Sequence, residues 1–233
     1  MGIGEVIRPL KNSLDGVPVH VRQLAEMFRK HGQRQGDNTA RVTDLDATDV
    51  PEALRNGWKG DWTPSDVVKV PQGQRPHPSE YLDAEYIRQH LDQFSDGATR
   101  IYKKPSLDGY GPGNNSGPDG RNTTYVFPTD KLGDVIRAAD GDPVKLSDAL
   151  GLPKDFFVGA EVELRDFAPH ELDGLTVPTG NEGGTDLEKW IPGGYLPSGI
   201  PEAVIDIPET ATGLNNGGFD PSYWPGTPRH FEL

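Results

Sequence analysis

Carboxylates, one arginine and one histidine carry most of the chemistry this sequence offers. Glu202 stands between a Gly/Pro-rich stretch and the apolar run Ala203-Val204-Ile205-Asp206-Ile207. A carboxylate at the mouth of a strand is where a glycosyl-transferring enzyme needs negative charge, because the reacting sugar carbon becomes an oxocarbenium-like cation. The plainer role is a charge that keeps a strand edge soluble. Arg100 falls inside a segment with strand alternation. A guanidinium there has five donors to satisfy, so it calls for a structural carboxylate or a ligand phosphate. His90 follows Ile87 by three residues and shares a helical face with Leu91 and Phe94. That placement suits a packed core histidine or a general base.

Two glycine-rich strings complete the candidates. Thr179-Gly180-Asn181-Glu182-Gly183-Gly184 suits a tight turn, or a place where backbone approaches a ligand beside Asn181 and Glu182. In Trp190-Ile191-Pro192-Gly193-Gly194-Tyr195 two aromatics flank a Gly-Gly pair. Trp190 and Tyr195 either stack a nicotinamide or adenine ring or pack beneath a loop. The chain has no GxSxG, HExxH, Walker loop or strand-borne GxGxxG. Its six histidines lack metal-ligand spacing, so no metal is expected.

The elements that must position these residues are legible in part. Val21, Leu24, Ala25 and Phe28 predict a helix ended near Gly32. Residues 1–55 read as a helical N-terminal segment, and 56–80 as an extended connector rich in Gly, Pro and Trp. An α+β domain runs from residue 81 to 233 and ends in an irregular tail. Within it Asp83 is a plausible N-cap for a helix bearing Ile87, Leu91 and Phe94, stopped by Ser95-Asp96-Gly97. Strands are expected at 98–103, 125–127, 162–167, 175–177 and 203–207. Helices are expected after Pro128, with Leu132, Val135, Ile136 and Ala139 inward, and near Ser147 to Leu150. Residues 105–122 read as a loop. The fold class is therefore a small mixed or antiparallel sheet with flanking helices and long Gly/Pro-rich loops.

Bulk properties narrow the function. Of 233 residues only 33% are hydrophobic, while Gly 29 and Pro 22 predict a modest core with long connections. The net charge of -13 disfavours nucleic acid, since phosphate contacts need clustered Lys and Arg. Without cysteine there is neither a disulfide framework nor a thiolate site. Residues 1–14 lack a signal-peptide pattern, and no run nears the ~18 apolar residues of a membrane span. Any export is expected to use a route that reads no such signal, or the segment is cut from a longer polypeptide.

Taken together, Tyr86-Ile87, His90-Leu91, Phe94, Gly97 and Arg100, then Gly180-Asn181-Glu182, Trp190-Ile191-Pro192-Gly193-Gly194 and Glu202-Ala203-Val204-Ile205, resemble the C-terminal toxin domain of bacterial polymorphic and contact-dependent toxins. The resemblance spans roughly Tyr81 to Ile207. The order of parts is similar to an ADP-ribosyltransferase-like fold, in which an early-strand Arg holds NAD and a late-strand Glu stabilises the ribosyl cation. Carried over, Arg100 takes the first role and Glu202 the second. No Ser-Thr-Ser strand lies between them, and the usual Glu-x-Glu is here Ile200-Pro201-Glu202. That departure suits NAD hydrolysis, or transfer to an unusual acceptor, better than arginine modification. The resemblance implies a secreted protein acting in a target-cell cytoplasm, with NAD as substrate, a cognate immunity protein as partner and a protein as possible acceptor. In this reading Glu182 positions the ribose or a water, Asn181 assists binding, and Trp190 or Tyr195 stacks the base. The alternatives are a toxin ribonuclease using His90 and Arg100, and a non-enzymatic secretion or binding module.

Overall fold

Alternating residues from Ala98 to Lys103 form strand β1, and Thr123–Pro128, Val162–Phe167, Ala203–Asp206 and Thr227–His230 form β2 to β5. The computed structural model describes residues 50–113, 120–186, 188–208, 211 and 221–230, all within one compact unit. The expected N-terminal helix at Val21 to Phe28 lies outside the described residues. The strands make one sheet in the order β4-β2-β1-β3-β5, with every ladder antiparallel. The fold class is α+β, as the residue pattern predicts.

Strand alternation sends successive side chains to opposite faces, and both faces are covered. Ala98, Tyr102, Val126, Phe167, Ala203 and Ile205 enter a first core with Phe94, Leu107 and Trp224. Ile101, Phe127 and Leu164 enter a second, beneath Val135, Leu146 and Phe157. The helices over it are Leu132–Ala139 and Pro143–Ala149. The second of these begins earlier than Ser147 because Asp142 caps it, its side chain accepting from the Val144 amide at 2.8 Å, with Pro143 in the first turn. Ile136, expected inward, is exposed instead.

Proline here marks helix starts as well as loops. Residues 56–80 do not run as an extended connector. They carry helices Pro64–Val68 and Pro78–Tyr81, each opened by a capping box, at Thr63 with Asp66 and at His77 with Glu80. Val67 and Tyr81 then join Val50, Leu54, Leu82, Val177, Trp190, Ile191 and Tyr195 in a third core. The first third of the expected loop 105–122 is likewise helical, Lys104–Tyr110, with Pro105 in its first turn. Ala84–Asp92 forms the helix expected after Asp83, although the Asp83 side chain makes no capping bond. The expected strand at 175–177 reduces to one bridge, Thr176 with Val204.

The C-terminal residues 221–230 order without much apolar content because polar contacts hold them. Arg165, 4% exposed, donates from Nε to the Pro225 carbonyl at 3.1 Å and from Nη2 to the Gly226 carbonyl at 2.7 Å. Its Nη1 meets Glu163 at 2.9 Å, and its guanidinium lies 5.5 Å from the Trp224 ring. These bonds seat β5 on β3. No helix among the described residues is long and apolar enough to cross a membrane. Replacing Arg165 with Leu leaves two carbonyls unpaired and Glu163 with only the longer contact to Lys104, so it is expected to cost roughly 3 kcal/mol in urea unfolding. Faster amide exchange in Thr227–His230 should accompany the loss.

Candidate functional site

The sheet has a gap at its middle. Strands β1 and β2 pair only at Ala98 with Pro128 and Thr99 with Phe127, and then part. Past that point β1 follows β3, and β2 follows β4. Arg100 lies on the face of β1 shared with Ala98 and Tyr102, its guanidinium 5.0 Å from the Tyr102 ring. It turns into the gap, where Nη1 donates to the Tyr125 carbonyl at 2.9 Å. Its Nε is buried without a partner. Among the described residues Arg100 meets no carboxylate at ion-pair distance.

Glu182 is delivered by a loop that side chains fasten down. Asn181 Oδ1 accepts from the Gly73 and Arg75 amides at 2.7 and 3.1 Å, and its Nδ2 donates to the Arg75 carbonyl at 3.0 Å. Arg75 reciprocates, with Nη1 on the Gly180 carbonyl at 2.7 Å and Nε on the Val70 carbonyl at 3.2 Å. Its guanidinium covers Trp190 at 4.4 Å. Gly180 has φ +76°, and a Cβ there would meet Arg75 Nη1 at 2.5 Å, so only glycine fits. So held, the Glu182 carboxylate is 4% exposed. Its Oε1 accepts from the Thr179 amide and hydroxyl at 3.0 and 2.9 Å, and its Oε2 faces the Tyr125 hydroxyl at 3.5 Å. That hydroxyl also contacts Thr185 Oγ1 at 2.5 Å.

Glu202 arrives from the turn that closes the WIPGGY loop. Its amide donates to the Gly194 carbonyl at 2.7 Å, one residue before β4 begins. Ala203 belongs to the core of Ala98 and Tyr102, so alternation turns Glu202 toward the Tyr125 side. Arg100 and Glu202 therefore lie on opposite strand faces, with β2 between β1 and β4, and share no strand face, although the charge of Arg100 reaches the Glu202 carboxyl. Glu202 is half-buried by accessible area yet hemmed in by protein, and this burial pushes its carboxyl up to about 8. Arg100 opposes the rise and the charge of Glu182 adds to it. The Tyr125 phenol is pushed well up by burial, with Glu182 and Glu202 adding to the effect.

The remaining candidates support this group from behind. His90 is buried, and its Nε2 lies 2.9 Å from the Glu202 carbonyl oxygen. A carbonyl only accepts, so Nε2 carries the proton. Burial lowers the affinity of His90 for a second proton. Tyr195 packs edge-on against His90 at 5.1 Å and is buried, as is Trp190 beneath Arg75. Neither ring is open to stack a base. The structure thus gathers Arg100, Glu182 and Glu202 around Tyr125, and leaves His90, Asn181, Trp190 and Tyr195 as scaffold. Sequence reasoning missed Tyr125 and Arg75. Arg75 had a signal, a lone charge in the run Val70-Pro71-Gln72-Gly73-Gln74-Arg75-Pro76. No group of three or more His, Asp or Glu side chains among the described residues is placed to hold a metal ion.

Two outcomes test this geometry. Glu202 has a folded affinity raised above the ordinary carboxyl value of 4.5, so its contribution to stability is full below that pH and is lost as pH climbs toward about 8. Thermal unfolding of Glu202→Gln should therefore gain on the parent protein with rising pH, by on the order of a few kcal/mol at pH 9. Gly194 has φ +83°, and a Cβ there would lie 2.7 Å from His90 Nε2 and 2.9 Å from the Glu202 carbonyl. Gly194→Ala is expected to lower stability by more than about 1 kcal/mol. Searches of protein-family models, curated proteins and solved structures for a relative of this chain return no match.

Proposed function

We propose that this chain is the catalytic domain of a bacterial secreted toxin that cleaves the nicotinamide–ribose bond of NAD. The observation that carries this reading is Glu202, a half-buried carboxyl whose ionisation is disfavoured by burial and favoured by the charge of Arg100, which bonds to the neighbouring Tyr125 carbonyl. A cationic nicotinamide ring seated there favours the ionised carboxylate, because opposite charge offsets the desolvation of each. The proton released goes to solvent. Arg100, whose hydrogen bond goes to a neutral carbonyl, keeps its charge for a substrate phosphate.

The step balances simply. The bond from ribose C1′ to the ring nitrogen breaks with its electron pair moving to the ring, which leaves as neutral nicotinamide. Positive charge develops on C1′ and its ring oxygen, where the Glu202 carboxylate stabilises it. A water oxygen bonds to C1′ and its proton passes through Glu202 to solvent, giving ADP-ribose. A nucleophile from a protein acceptor in place of water gives ADP-ribosyl transfer. The toxin acts in a target-cell cytoplasm, and a cognate immunity protein covers this site in the producing cell. The ribonuclease alternative is disfavoured, because the Nε2 proton of His90 is committed to Glu202 and its Nδ1 is buried.

Purified protein should convert NAD to nicotinamide, and Glu202→Gln should lose about 10²-fold or more of kcat with folding intact. Since the ionised carboxylate is required, kcat/KM should rise with pH and level off above about 8. NAD left intact, with or without added lysate, would falsify the proposal. One second reading has an observation behind it: near neutral pH Glu202 holds its proton, which suits a general acid acting on a glycosidic oxygen. Activity on such a bond would instead fall as pH rises through the same range.

A further inference from the structure

Helix Ala84–Asp92 touches the loop that carries Glu202 at two main-chain points. The Tyr86 hydroxyl donates to the Gly193 carbonyl at 2.6 Å. One turn on, His90 Nε2 donates to the Glu202 carbonyl at 2.9 Å. The His90 ring is itself held on three sides, stacked on Tyr86 at 5.9 Å, tilted against Phe94 at 6.0 Å and met edge-on by Tyr195 at 5.1 Å. Gly194 closes the fourth side without room for a Cβ. A donor so confined can serve no substrate, yet it sets where residue 202 sits.

We propose that His90 is a positioning residue for Glu202, its Nε2–H fixing the main chain of residue 202 so that the carboxyl is presented beside Tyr125 and Arg100. This role deepens the NAD reading and, as a statement about catalysis, rests on it. A main-chain carbonyl at this depth needs a donor, and a bond lost there costs about a factor of ten in an equilibrium. The aromatic cage restricts the ring to one orientation. Position 202 thus inherits the rigidity of the helix rather than that of its Gly/Pro-rich loop. The charged and titratable groups facing the Glu202 side chain are Arg100, Glu182 and Tyr125. Those facing the His90 ring are Tyr86 and Tyr195.

The experiment compares His90→Phe, which keeps a flat ring but no donor, with His90→Gln, whose amide N–H can reach the same carbonyl. Two readouts are taken: NAD cleavage, and the pH midpoint of the stability difference between each variant and its Glu202→Gln double. His90→Phe should lower kcat about tenfold with KM within about twofold, and should shift the midpoint. His90→Gln should restore the midpoint and bring kcat back to within about threefold. A His90→Phe protein that is only less stable, with kcat and midpoint unchanged, overturns the proposal. Should that variant fail to fold, Tyr86→Phe removes just the Gly193 bond and is expected to shift both readouts the same way by less. No shift in either then overturns it. If the parent protein leaves NAD uncut, the functional reading fails by itself, while the midpoint still decides whether His90 governs Glu202.

Discussion

Among the described residues two pairs alone join β1 to β2 and so the halves of this sheet, and the polar contacts near the middle follow from their brevity. Where strands part, main-chain groups lose their partners, and a buried unpaired carbonyl or amide costs as much as a lost hydrogen bond. Side chains from β1 make up the difference. Arg100 serves the Tyr125 carbonyl, and the Tyr102 hydroxyl meets Thr124 Oγ1 at 3.0 Å and the Pro112 carbonyl at 3.1 Å. At the joint itself Thr99 Oγ1 donates to Asp166 at 2.6 Å and also contacts Thr129. Polar side chains therefore fill the place where the ladder ends. Tyr125 stands at its edge, beside Glu182 and near Glu202.

Loops of low regularity usually bring low precision, because each extra residue adds conformations that must be frozen out. Here the loops bearing Glu182 and Glu202 avoid that cost by being tied at named atoms. Asn181 and Arg75 exchange five hydrogen bonds with main-chain groups, fastening residues 70–75 to 180–181. Tyr86 and His90 do the equivalent for residues 193–202. Glycine at 180 and at 194 is what lets the fastening side chains approach so closely. The Gly-rich strings thus act as sockets for neighbouring side chains, which is why their own side chains, Asn181, Trp190 and Tyr195, face inward.

This explains how far the residues alone could be read. Strands at 98–103 and 162–167 show in the sequence because alternation is a local property, and both form at those positions. The helices opening at Pro64, Pro78 and Lys104 were hidden, since prolines that read as loop signals sit in first turns where no amide hydrogen is needed. Strand β5 was hidden for another reason: its order comes from Arg165 and the edge of β3, partners sixty residues away that no window of sequence contains. At the site, Glu182, Glu202 and Arg100 stood out by residue type. Tyr125 did not, because a tyrosine in a short strand looks like core until its hydroxyl is seen facing a carboxylate.

The electrostatics of the site turn on where its arginines place their donors. Arg75 bonds to the carbonyls of Val70 and Gly180, and Arg100 to that of Tyr125. Neutral acceptors satisfy donors without cancelling charge, whereas a carboxylate partner does both. Both guanidinium charges accordingly remain active within a chain of net charge -13. Arg75 is itself disfavoured by burial, and its field reaches Tyr125, Tyr81 and Glu182. Among the described residues neither carboxyl makes a direct ion pair: Glu182 is held by Thr179, and burial keeps Glu202 protonated near neutral pH. The charges of Arg75 and Glu182, kept close without a direct ion pair among the described residues, form a preorganised field, which stabilises a ligand carrying both signs more than one carrying either alone. The ligand proposed for this site, a pyridinium joined to a diphosphate, is of that kind.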